Sequence, residues 1–198
     1  MAADYDQMAR NLEDFYQFKD KVVVFVGAGT KQLLDVGRIP KRTIAIDQSA
    51  EAVQQLRQQV EARHLESVVE IIQADFFDVI SRGDVVYFEF CLHEMTNPHK
   101  ALAHAKSLAP DIVVYDHAPG SEWAYMAAEE DKVARSTQAM ERFGIRSRQL
   151  FRTDQHFKDY AELLAKVSPQ GPLAVERAAR YANVTGIAIP MEYGLTLL

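Results

Sequence analysis

The chain has 198 residues, enough for one well-cored domain and short for two, with an ordinary globular balance of 48% hydrophobic and 25% charged residues. Its formal charge of −6 argues against a nucleic-acid binder, because neutralising phosphates requires a basic surface. A single cysteine, Cys91, excludes an intramolecular disulfide and a cysteine-rich zinc site.

The N-terminal stretch "MAADYDQMARNLEDFYQ" is acidic and amphipathic, so it lacks the basic start and apolar core of a secretion signal. No apolar run reaches the length of a bilayer span. A soluble, cytoplasmic protein is expected. Tyr5, Met8, Leu12, Phe15 and Tyr16 recur at helical spacing. Residues 1–20 therefore read either as a lid that puts Tyr16 on an aromatic wall over a cleft, or as a helix packed at a sheet edge.

No repeat, low-complexity tract or Gly/Ser linker divides the sequence, so residues 1–198 are read as one domain. "KVVVFVG" (21–27) is a continuous β-branched run, the pattern of a strand covered on both faces. It leads into Gly27–Ala28–Gly29 and what looks like the first turn of a helix. "RTIAID" (42–47) is a second strand, and "SAEAVQQLRQQVEARHL" (49–65) opens on a serine cap followed by good helix formers. "SVVEIIQAD" (67–75) and "DVVYFEF" (84–90) are the third and fourth strands. "NPHKALAHAKSLA" (97–109) has Asn97 as a cap and Pro98 at the first helical position. "DIVVYDH" (111–117) is the fifth strand, and a long helix is expected over about 121–143.

The tail differs. "RFGIRSRQLFR" (142–152), the one basic stretch, reads as a helix end and loop in preference to a basic patch. Residues 155–167 read as a helix. Residues 173–198 hold two strand-like stretches joined too closely for a parallel crossover, so they are expected to form an antiparallel hairpin turning near Asn183. The expected architecture is α/β: five parallel strands, a C-terminal antiparallel hairpin, and helices on both faces.

In open parallel sheets, ligands bind outside the carboxyl ends of the strands. Gly27 and Gly29 let a ligand approach the backbone closely. Asp47, about twenty residues further on, can accept both ribose hydroxyls of a nucleoside, or serve in capping the next helix. Asp75 beside Phe76 suits an adenine amino group and its flat face. A pyrophosphate-bridged dinucleotide needs a third glycine, and Thr30, Lys31 and Gln32 follow instead. A nucleoside without phosphates relaxes that demand.

In their order and spacing these segments resemble class I S-adenosylmethionine-dependent methyltransferases, from about residue 21 through nearly the whole chain. "VVVFVGAGT" resembles the family's first motif, "TIAIDQSAEAV" its second, "VEIIQADFFD" its third and "DVVYFEFCLHEMTNPHKAL" its fourth. The resemblance implies a Rossmann-like open sheet and S-adenosylmethionine as cofactor. It implies Gly27, Ala28, Gly29, Asp47, Gln48, Asp75, Phe76 and Glu89 as the residues that hold it. Two positions depart from the family pattern: Phe25 stands where an acid is common, and Lys31 where many members carry glycine.

Methyl transfer from a sulfonium needs alignment and exclusion of water, and a base if the acceptor is a hydroxyl. His93 and His117, just after strands four and five, are the catalytic candidates. His99 and His104 read as surface positions on a helix. His93, Glu94 and His99 with Asp116 and His117 match no tight ligand motif, so no metal is assigned. Trp123 and Tyr125, soon after strand five, join Tyr16 as candidate acceptor-binding residues. A small-molecule acceptor is expected; the alternative is a non-catalytic cofactor-binding sensor or assembly partner on the same fold.

Overall fold

The computed structural model describes residues 4–29 and 40–198. Helix α1 (Tyr5–Phe15) is capped by Asp4, whose carboxylate accepts from the amide of Gln7. Then come β1 (Val22–Val26), β2 (Arg42–Asp47), α2 (Ala50–Ala62), β3 (Val69–Gln73), β4 (Val85–Glu89), α3 (Pro98–Leu108) and β5 (Asp111–His117). Ser49 caps α2 and Asn97 caps α3, each accepting a backbone amide three residues on. The remainder is α4 (Glu122–Met126), α5 (Glu130–Phe143), β6 (Ser147–Asp159), α6 (Tyr160–Val167), α7 (Pro172–Ala178) and β7 (Thr185–Leu197).

Among the described residues, seven strands form one sheet in the order β3-β2-β1-β4-β5-β7-β6. β1 to β5 pair in parallel, and β7 pairs antiparallel with both β5 and β6. The chain builds outward from β1 to one side and then from β4 to the other. The order therefore reverses between β1 and β4, and the ligand crevice of such a sheet lies at their carboxyl ends.

Alternation along the central strands divides the core in two. Val23 and Phe25 face one side, with Met8 and Leu12 of α1, Leu56 of α2, Trp123 of α4 and Leu163 of α6. Val24 and Val26 face the other, with Leu102 and Ala105 of α3 and Met140 of α5. Helices thus cover both faces. No helix among the described residues is long and apolar enough to cross a membrane.

Four expectations are corrected. The antiparallel pair is β6 and β7, in register from Ser147↔Leu197 to Asp159↔Thr185, and does not lie within 173–198. Residues 172–178 are helical, with Ala174 and Ala178 buried four apart on one face. Of the stretch 142–152, expected as a helix end and loop, residues 142–143 do end α5, but 147–152 belong to β6, as does the start of the expected helix at 155, which begins only at Tyr160. Within that basic stretch Arg146, Arg148 and Arg152 lie 2.7, 3.7 and 3.7 Å from Asp111, Glu141 and Glu192, so their charge is answered locally. Finally, the expected helix over 121–143 is broken in two at Ala128, held at φ 59° in the left-handed region.

Met8 and Leu12 of α1 are 1% and 0% exposed, so this segment packs as part of the core. Leu12→Ala is expected to cost about 2–5 kcal/mol of stability in denaturant unfolding, the range for an uncollapsed core cavity. A loss under about 0.5 kcal/mol would show that α1 is only loosely attached.

Candidate active site

The Gly27–Gly29 loop is shaped by contacts that leave no room for a side chain. Gly27 sits at φ +72°, and a Cβ there would lie 2.7 Å from the Cβ of Cys91. A Cβ on Gly29 would lie 2.9 Å from the Cβ of Ala52. The amides of Gly27 and Ala28 both donate to the carbonyl of Ile46, at 3.0 and 3.2 Å. Asp47 completes the loop: one oxygen accepts from the amide of Gly29 at 3.2 Å and the other from Ser49 at 2.9 Å. Ser49, not Asp47, is the helix cap. Each carboxylate oxygen has two acceptor sites, so Asp47 retains capacity for a ligand.

Beside this loop lies a cavity of about 260 Å³, lined by Gly27, Gln48, Asp75, Phe76, Cys91 and Glu94 among others. Asp75 is ordered by accepting from the amide of Phe77 at 2.9 Å. Phe76 packs edge-on against Phe88 and against His104, whose Nε2 lies 3.0 Å from the carbonyl of Val79. His104 is thus half-buried behind the cavity wall, not a free surface residue. Phe77 and Met95 also line the cavity and were not singled out from sequence. Ala28 is buried beneath the loop, and Glu89 is buried at the tip of β4. Burial, reinforced by the Glu89 carboxylate, holds the Tyr87 hydroxyl well above its usual pKa. Phe25 is fully buried against the Tyr87 ring at 5.2 Å, a core position. Thr30, Lys31, Gln32 and the helical turn expected there lie outside the described residues.

The tips of β4 and β5 hold a buried polar cluster. Asp116, 2% exposed, accepts from the backbone amides of His93 and His117 at 3.0 and 2.9 Å. Its Oδ1 also lies 2.5 Å from Nδ1 of His93, which turns Nε2 toward Glu129 at 3.7 Å. Nε2 of His117 is 4.0 Å from the same Glu129 oxygen, and the two imidazoles are 5.3 Å apart between centroids. Glu94 stands 3.4 Å from Nε2 of His93 and is held by Lys132 at 2.7 Å.

These environments push the groups apart. Burial opposes charge on His93, but the charge and hydrogen bond of Asp116, with Glu94 and Glu129, outweigh it and hold its pKa up at about 10. Burial dominates for His117 and pushes it down to about 4. Burial likewise raises Glu129 to about 7, while the hydrogen bond with His93 holds Glu94 well below the usual carboxylate range. At neutral pH the cluster therefore offers a protonated imidazole beside a neutral one.

Residues 24–110 match the family profile described as "Methyltransferase domain". This segment is a methyltransferase domain of the class I fold. S-adenosylmethionine is the cofactor that such a domain takes. No curated protein sequence matches the chain. Among solved structures it is similar to a candidate methyltransferase from Bacillus halodurans, at 13% identity and TM-score 0.70 over 96% of this chain and 97% of that one. The YcgJ protein of Bacillus subtilis gives 12%, 0.68, 97% and 96%. An S-adenosylmethionine-dependent methyltransferase from Aquifex aeolicus gives 17%, 0.58, 98% and 89%.

Of the residues expected to bind an acceptor in the methyltransferase domain and its flanks, the structure gathers none into the His93–His117 cluster. The Tyr16 hydroxyl donates to Asp111 at 2.6 Å, at the start of β5 and thus the opposite edge of the sheet. Trp123 stacks on Phe157 at 5.6 Å within the core. Tyr125 is exposed, with the Arg177 guanidinium 3.8 Å over its ring. Phe90 instead packs beside the cluster, on Tyr115 at 4.7 Å and on His117 at 4.9 Å. Its φ of 45° is strained for a bulky residue, a cost that clusters at functional sites. In the sequence only its place at the end of the expected fourth strand signalled it.

Proposed function

We propose that the chain transfers the methyl group of S-adenosylmethionine to a small-molecule acceptor by in-line displacement. The observation that carries this reading is the junction at Glu94. That residue lines the cavity beside the glycine loop and also touches His93 in the polar cluster. A cofactor site and a second, chemically different site thus share one wall.

When bound, the cofactor supplies an already activated methyl group. Asp47 would accept the ribose hydroxyls, Asp75 and Gln48 would meet the adenine edge, and Phe76 would pack against its ring. Gly27, Ala28 and Gly29 would admit a ligand close to the backbone, and Glu89 would hold the amino-acid end. His93 and His117 face the acceptor across Glu94 and Phe90, and their burial keeps water from competing with it. The depth favours a small acceptor: His93, His117 and Glu129 are 3%, 8% and 4% exposed, out of reach of a folded macromolecular surface.

The test uses methyl-labelled S-adenosylmethionine with separated small-molecule and macromolecular fractions of a cell extract. Label is expected in the small-molecule fraction, with S-adenosylhomocysteine formed in step. Label in the macromolecular fraction overturns the acceptor class. Absence of label from both fractions, with no S-adenosylhomocysteine formed, overturns the catalytic reading in favour of a binding protein.

A further inference from the structure

His93, His117 and Glu129 bring one ligand atom each to within 4.8 Å of one another, and all three side chains are buried. Their separations from the Glu129 oxygen, 3.7 and 4.0 Å, are too long for hydrogen bonds. These polar groups therefore converge on a shared gap without closing on each other. Nδ1 of His117 has no hydrogen-bond partner among the described residues, though the side chain is more than nine-tenths buried. Leaving such a group unsatisfied is costly.

The surroundings fit the same reading. Metal-bound histidines commonly give their second ring nitrogen to a carboxylate, which fixes the ring and raises its basicity. Asp116 does this for His93, leaving Nε2 directed at Glu129. Charge also fits: Asp116, Glu129 and Glu94 face the two imidazoles, Lys132 answers Glu94, and an ion at the gap would take the place of the proton on His93. Bonds of about 2.0–2.1 Å to nitrogen and oxygen would draw the donors inward by less than about 1 Å each.

We propose that His93, His117 and Glu129 bind a divalent first-row transition ion, with Glu94 beside it and Asp116 positioning His93. Two imidazoles and one carboxylate form a donor set of the zinc and iron(II) type, and three protein ligands leave coordination open for an oxygen or nitrogen of another molecule. Ion binding stands on this cluster alone. That the open positions hold the methyl acceptor rests on the methyl-transfer reading.

The probes are Zn²⁺ and Co²⁺, each titrated into the metal-stripped full chain, followed by gel filtration and elemental analysis. One retained equivalent is expected, with Co²⁺ giving ligand-field absorption of a nitrogen–oxygen site. Glu129→Gln and His117→Asn are each expected to lose that equivalent. Asp116→Asn, which changes only the orienting partner, is expected to weaken affinity about 10–100-fold. Binding of S-adenosylhomocysteine by the same variants reports that they are folded and tests the cofactor reading separately. Wild type that retains neither ion overturns the proposal whatever the variants do. So does an equivalent that persists in both Glu129→Gln and His117→Asn.

Discussion

Asp47→Ala is expected to weaken S-adenosylmethionine binding by roughly 100-fold. Two charge-assisted hydrogen bonds to ribose hydroxyls are worth about 1.5 kcal/mol each, and each 1.4 kcal/mol is about tenfold in affinity. The same carboxylate ties the amides of Gly29 and Ser49, so its loss also loosens the loop. Because the residue is half-buried, the folding cost of losing those bonds is about 1–2 kcal/mol. Calorimetry on a variant with a cooperative unfolding transition separates the two effects. Asp47→Asn keeps one acceptor oxygen and is expected to lose about tenfold. Affinity within about threefold of wild type in Asp47→Ala would remove the ribose role.

Asp116→Ala is expected to be the most destabilising single change at the cluster, by about 3–5 kcal/mol. Removing the carboxylate recovers its desolvation cost, but it strands two buried backbone amides and the Nδ1 of His93. For a chain of this size, that loss lowers Tm by roughly 10–15 °C. Asp116→Asn keeps the shape and one acceptor, so about half the shift is expected. Thermal unfolding followed by circular dichroism reads both. A shift below about 3 °C in Asp116→Ala would mean that the three contacts are worth little in the folded state.

β1, β2, β4 and β5 were legible because they are central: their apolar runs are covered on both faces, and their tips carry residues that face the crevice. β3 lies at one edge with only Val69 buried, and was legible from its β-branched run. β6 lacks both signals. It is an edge strand, and along its 13 residues only Gln155 and Phe157 are buried. Arg148, Arg152, Asp154 and Lys158 give it the composition of a loop. The error in α7 was avoidable: Ala174 and Ala178 stand four apart, a helical signal outweighed by the β-branched Val175 beside them.

The site was legible in parts. Gly27, Gln48, Asp75 and Phe76 do line one cavity, as their positions at strand tips implied. His93 and His117 do meet, because adjacent parallel strands carry neighbouring tips. Glu129 could not be found from its surroundings in "AAEEDK", where it reads as one surface acid among three. It reaches the cluster only because the chain turns at Ala128 and the amide of Glu129 bonds back to the carbonyl of Ala124 at 2.8 Å. Tyr16 stands away from the His93–His117 cluster because α1 runs its last turn toward the start of β5, not its tip. Helical periodicity shows which face is buried, not the direction in which the helix lies.

The central claim is that the cavity beside the glycine loop binds S-adenosylmethionine. Titration calorimetry of the wild-type chain with S-adenosylmethionine tests it most directly. One equivalent bound, competed by S-adenosylhomocysteine, is the predicted result; no binding at high micromolar cofactor contradicts it.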